Sequence, residues 1–369
     1  MKPPPQVPPA GTGGWAAPPG GSGKPSAMDA LHEAGIHAAV ALQAGPPWLE
    51  QFWLFLTSHL DPNSIYTVCF PLARGLDERV SLMVLWIALV AEWLNVVLKW
   101  FLFGERPYWW IHESGLSSQE QLPLRQFPVT CETGPGSPSG HCMILGAALW
   151  PVVTALSKGV SRYTRSRLLR LIPFLIYILL LVAMGLSRIF VLAHFPHQVV
   201  TGSLAGMALG WGLQRWPPNF LKCRFFLLTA LGLLLSALAL HGLATAAGLD
   251  LDWSLRRASA RCWEPAWLRP ETRPWASLCR VSGSALGLAL AARHPLSRRA
   301  AEELRGLEPP LGSAALGLLA LDMLHKLPKS DEAALWYLNV GARYTLGPVL
   351  VASLLPQLIL ILRRLRAAP

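Results

Sequence analysis

Residues 80–107, VSLMVLWIALVAEWLNVVLKWFLFGERP, decide the fold. The apolar run is long enough to cross a bilayer, which takes about 20 helical residues. It closes on Lys99, Arg106 and Pro107, and the residue before a proline is disfavoured in helical geometry. Glu92 and Lys99 lie inside the run, where an ionisable side chain is costly unless it pairs or does chemistry. A polytopic bundle with polar groups built into its interior follows.

Further apolar runs lie on both sides. They predict spans at about 50–73, 80–103, 139–156, 168–187, 195–214, 225–247, 275–293, 310–326 and 334–362, an all-α membrane protein with about nine transmembrane helices. Asp61-Pro62-Asn63 interrupts the first span and predicts one short helix ending where another begins. Composition agrees: 52% of the 369 residues are hydrophobic and 14% charged, against about 25% charged in soluble domains. Mean hydropathy is +0.37. Residues 1–27, rich in Pro and Gly, read as a disordered extension with too little apolar surface to fold, and Met28 is a candidate start. Residues 28–369 read as one integral membrane domain.

The net charge of +11 is scattered over several loops and forms no stripe, which argues against nucleic acid. The excess of Lys and Arg in alternate short loops sets the orientation, with the N-terminus outside the cytoplasm and the C-terminus inside. Three stretches then reach the same non-cytoplasmic face. The first holds Lys99 and Arg106, seven residues apart and so on nearly one helical face; fraying before Pro107 turns the Arg106 guanidinium toward the aqueous mouth. The second, Gly134-Pro-Gly-Ser-Pro-Ser-Gly-His141, runs into a helix with Ser139 as N-cap, and backbone N–H groups near Ser139 and Gly140 form an anion seat. The third closes one helix with Ser187-Arg188 and opens the next with His194-Phe-Pro196. Two histidines and three cations around one point read as a phosphate-handling site.

Lys-x6-Arg-Pro, Pro-Ser-Gly-His and Ser-Arg-x5-His, in that order, resemble the type 2 phosphatidic acid phosphatase (PAP2) superfamily. The surrounding text, from Lys99-Trp-Phe-Leu-Phe-Gly-Glu-Arg106, through Cys131-Glu-Thr-Gly-Pro-Gly-Ser-Pro-Ser-Gly-His141, to Leu186-Ser-Arg-Ile-Phe-Val-Leu-Ala-His-Phe-Pro-His-Gln198, is similar to glucose-6-phosphatase catalytic subunits. Ile111-His-Glu-Ser-Gly115 is most similar to the ubiquitous branch of that family. The resemblance covers the chain from about Met28 onward. It implies a PAP2-like helical core and a multi-pass endoplasmic reticulum enzyme with a lumenal site. It also implies hydrolysis of glucose 6-phosphate delivered by a separate transporter, beside membrane lipids.

It further implies His194 as nucleophile, forming a phosphohistidine, and His141 as general acid and then base. Lys99, Arg106 and Arg188 would bind the phosphate oxygens with help from Ser139 and Gly140. Near these stretches the sequence offers no serine or cysteine nucleophile motif and no carboxylate cluster for metals, so metal- and cofactor-free chemistry is expected. Many superfamily members carry Asp four residues after the nucleophile, where this chain has Gln198; either Gln198 or Asp61 would orient His194. His197 reads as structural, and Glu92 as a polar partner within the bundle. The six cysteines lack close pairs or zinc spacing; Cys131 and Cys142 would face an oxidising lumen, where a disulfide is open but not predicted. Lipid phosphatase and sugar-phosphate transporter remain the rival readings.

Overall fold

The computed structural model describes residues 26–367, apart from 121, 218–221, 294–302, 304–309, 329 and 331. Most of the Pro/Gly-rich extension lies outside the described residues. Its last two positions belong to a helix: Ser26 caps α1 (Ala27–Gln43), its hydroxyl accepting from Asp29 N while the Asp29 carboxylate accepts from Ser26 N, a reciprocal cap that fixes a helix start. Then come α2 (Pro47–His59) and a broken helix that starts at Pro62 and passes through a π-wound turn, Ile65–Cys69, to Phe70–Arg74. The expected break falls at Asp61, whose carboxylate caps Ser64 N at 3.0 Å. There follow α3 (Glu78–Leu102), α4 (Pro107–Glu113), α5 (Gly140–Tyr163), α6 (Arg167–Phe190), α7 (Pro196–Gln214) and α8 (Cys223–Ala246). The chain continues with α9 (Trp253–Arg261), α10 (Pro274–Arg293), α11 (Pro310–Lys326), α12 (Ala333–Val349) and α13 (Leu355–Ala367).

Among the described residues six helical stretches are long and apolar enough to cross a membrane: Glu78–Glu113, Gly140–Tyr163, Arg167–Phe190, Cys223–Ala246, Pro274–Arg293 and Ala333–Leu365. The sequence expects nine. Of the other three, 50–73 is broken at Asp61, α11 has only 17 residues, and α7 carries several glycines and polar side chains. Leu171, Leu175 and Leu179 of α6 are exposed, as they are where a helix faces lipid rather than water.

α5 is the central element and packs against α3, α6 and α7, while α10 packs against α8 and α12. Gly202, Gly206 and Gly210 repeat every fourth residue along α7, the small-residue spacing that lets membrane helices approach closely. A Cβ at Gly206 would stand 2.4 Å from the Met143 carbonyl of α5. Glu92 takes the structural role expected of it: its carboxylate accepts from Arg280 at 2.6 Å and from the Tyr66 hydroxyl at 2.6 Å, so a buried, paired charge joins α3 to α10.

A disulfide corrects the reading of the cysteines: Cys131 bonds Cys262, 131 residues away. Beside it Arg269 N donates to Cys131 O at 3.2 Å, and Glu132 and Arg269 form an isolated bridge. The segment after α9 is thereby fastened across the mouth of the α5 end.

Candidate active site

Each of the three motif stretches places its side chains through a distinct break in the helical path. α3 ends because Phe103 adopts a left-handed conformation, φ 46°. The chain leaves α3 there, so Arg106 is an extended N-cap residue of α4 and does not share the helical face of Lys99. Its guanidinium is also fully buried, not turned toward the aqueous mouth. It donates to Gly134 O at 2.7 Å, Ala193 O at 2.9 Å and Pro135 O at 3.0 Å. Three carbonyls in a fixed fork hold an arginine better than water would in so closed a space.

Arg188 ends α6 from inside, fully buried, with one nitrogen donating to Thr57 Oγ1 at 2.5 Å. Residues 191–195 then turn sharply. Leu192 takes φ 58°, and the amides of Ala193 and His194 both donate back to Arg188 O, at 3.1 and 3.3 Å. This tight return brings His194 over Arg188 before Pro196 opens α7.

His194 is fully buried. Its Nδ1 lies 2.8 Å from Gly136 O and 3.3 Å from Gln198 Oε1. A carbonyl only accepts, so Nδ1 carries the proton and Nε2 keeps a bare lone pair. Nε2 stands 3.4 Å from Arg106 Nη1. Of the two orienting candidates the geometry places Gln198 at the ring, itself held by donating to Glu105 O at 2.7 Å, together with a backbone carbonyl the sequence did not single out. Asp61 sits elsewhere, as a cap. Burial, and then the Arg106 charge, hold the His194 imidazolium pKa well below the usual histidine value, so the ring is neutral.

His141 is the second residue of α5. Ser139 occupies the N-cap position but makes no side-chain cap hydrogen bond, and its own N–H donates to Gln198 O at 3.0 Å. Gly140, next along and at the open end of α5, is among the amides with no intrahelical acceptor. Lys99 is buried and lines one cleft with Gly140 and His141. His197 is half-buried and stacks on Phe195 and His32.

The centre of this ring is occupied by a carboxylate. Glu132 Oε2 lies 2.9 Å from Arg106 Nη1 and 3.8 Å from His194 Nε2. Its Oε1 pairs with Arg188 Nη2 and lies 3.6 Å from His141 Nδ1. Burial alone would push the Glu132 carboxyl up, but Arg188 and Arg106 outweigh it and hold the group well below the usual carboxylate range. The anion in the seat thus has one oxygen near each imidazole and each guanidinium.

Residues 81–222 match the PAP2 superfamily. Glucose-6-phosphatase 3 of Mus musculus is 46% identical over 93% of this chain and 99% of its own length. The Homo sapiens protein of that name is 45% identical over 89% and 95%, and glucose-6-phosphatase catalytic subunit 1 of Rattus norvegicus is 36% identical over 89% and 95%. The chain belongs to the glucose-6-phosphatase family. Its class is phosphatase, and no solved structure matches it.

Within this family frame, five side chains named from the motifs surround one point: Lys99, Arg106, His141, Arg188 and His194. Sequence reasoning missed Glu132, although it lies in the quoted Cys131-Glu-Thr-Gly stretch. The available signal was electrostatic: three cations predicted to meet in a low-dielectric site need a counter-charge when no ligand is present. Glu132 is the acidic residue of the motif loop nearest in sequence to the anion seat.

Proposed function

We propose that the chain hydrolyses glucose 6-phosphate, or a close sugar-phosphate analogue, to the sugar and inorganic phosphate through a phosphohistidine on His194. One observation carries this reading: a neutral imidazole directs its bare Nε2 at a buried anion that two guanidiniums already hold. The Glu132 carboxylate stands in for the phosphoryl group. With His194 near one of its oxygens and His141 near the other, nucleophile and acid both reach the seat, as a displacement at phosphorus needs.

In the first step His194 Nε2 bonds to phosphorus as the P–O bond to the sugar breaks and His141 delivers a proton to the leaving oxygen. In the second, His141 takes a proton from water, the water oxygen bonds to phosphorus, and the P–N bond breaks. Arg106, Arg188 and Lys99 balance the charge on the equatorial oxygens, and the Gly140 amide adds a neutral donor. Glu132 must leave the seat before phosphate enters, since two anions there repel.

The same reading places the site in the lumen of the endoplasmic reticulum, with nine crossings, the N-terminus lumenal and the C-terminus cytoplasmic. Substrate then arrives through a separate glucose 6-phosphate transporter. The disulfide next to Glu132 supports an oxidising compartment on that face. The test is a rapid quench with radiolabelled glucose 6-phosphate in detergent. An acid-labile, base-stable adduct mapped to His194, absent from His194→Ala, is expected. An adduct elsewhere, or wild-type turnover by His194→Ala, overturns the assignment; binding without phosphate release makes the protein a carrier.

A further inference from the structure

A narrow cleft opens from the anion seat. Lys99, Glu132 and His141 form its inner end, whereas His194, Arg106 and Arg188 do not line it. A leaving group protonated by His141 must depart into this space.

The outer wall is polar. Asp61, Asn63 and Asn95 come from the broken helix and α3; Arg269, Glu271 and Ser277 come from the segment fastened by the disulfide and from α10. Several of these groups are already oriented. Asn63 donates to Asp61 Oδ2 at 2.9 Å and accepts from the Tyr344 hydroxyl at 2.9 Å, so its amide cannot rotate and it fixes the carboxylate. Arg269 reaches Asp61 Oδ2 at 3.7 Å, while its other terminal nitrogen, Nη1, is buried without a hydrogen-bond partner. An oriented carboxylate with unused lone pairs and an unpartnered guanidinium donor suit an alcohol that both donates and accepts. An alkyl chain placed there would strip water from these groups and return nothing.

We infer that this cleft is the alcohol subsite, with Asp61 accepting from and Arg269 donating to the hydroxyls of a polyol leaving group, and that these two residues set the preference for sugar over lipid phosphates. The inference rests on the phosphohistidine reading for the position of the leaving oxygen. Asp61 and Arg269 touch the leaving group and not phosphorus, so they are specificity-determining groups.

The test uses the full-length protein in detergent with two substrates of equal chain length, glucose 6-phosphate and n-hexyl phosphate. For the wild-type enzyme kcat/KM should favour the sugar phosphate by about tenfold or more, because a site built for hydroxyls rejects an analogue that lacks them. In Asp61→Ala and Arg269→Ala that ratio should fall toward one, chiefly through KM for the sugar, with partial recovery in Asp61→Asn. A wild-type ratio near one overturns the inference without any variant, as does a variant that slows both substrates equally. A His194 phosphoenzyme formed from n-hexyl phosphate reports separately on the chemistry: its presence with a ratio near one removes the subsite alone, and its absence from both substrates removes the underlying reaction.

Discussion

Glu132 does two opposing things at once. It neutralises buried guanidiniums that would otherwise face each other, and it fills the place that the proposed reaction gives to phosphate. Replacing it by Gln leaves Arg106 and Arg188 without their counter-ion, and removing one partner of a buried pair costs about 3–5 kcal/mol. Glu132→Gln should therefore unfold at lower temperature, yet gain more from added phosphate or vanadate than the wild type, since the seat no longer holds a competitor. Thermal melts with and without the anion check both halves.

Acid should act in one direction. Glu132 is depressed below a carboxylate's ordinary value of about 4.3, so its contribution is complete above that pH and is lost as pH falls through the lower folded value. His194 is also depressed, so the unfolded chain takes up a proton below about pH 6.5 that the folded site refuses, and stability declines from there downward. Melting temperature should fall in two stages on acidification, and Glu132→Gln should lack the second. Arg188→Lys keeps the charge but loses the fork that holds both Glu132 and Thr57; a drop in turnover on the order of 10²-fold, read in steady-state kinetics, is expected. The five side chains flanking the seat were legible because their types recur at motif spacing. Glu132 was not, because a carboxylate among predicted phosphate ligands looks like a contradiction until the mutual repulsion of the buried cations is considered.

At the scale of elements, α7 positions His194 by lying close to α5. With only 2.4 Å between a Cβ at Gly206 and the Met143 carbonyl, Gly206→Val must push the two helices apart. An overpacking loss of about 1–3 kcal/mol is expected, with activity falling further, because Ser139 N and Gln198 O meet across the same contact. Melting temperature and turnover of the purified variant check this. Long apolar helices were readable from hydropathy, and the Asp61 break from its proline. α1 and α9 were not anticipated: they carry no span-length apolar run, and their place depends on what they pack against, as where His32 of α1 stacks on Phe195.

Across the whole molecule, the site is assembled from regions remote in sequence. The Cys131–Cys262 bond closes a long loop, and removing such a bond costs about 2–5 kcal/mol. Cys131→Ser should lower the melting temperature and weaken sugar-phosphate binding together. In sealed native vesicles these two thiols should resist maleimide until a permeant reductant is added, which mass spectrometry of the labelled peptides reads. The pairing was illegible beforehand because spacing along the chain carries no information about which distant loops the helices bring together.

The side chains proposed to surround phosphorus lie between Lys99 and His194, inside the segment shared with the wider superfamily. Asp61 and Arg269, the two side chains inferred to hold the alcohol, lie before and after that segment. Reactivity and choosiness are thus written in separate passages of one text. Drift in the flanks can retarget the catalyst to a new alcohol while the inner passage stays as it was.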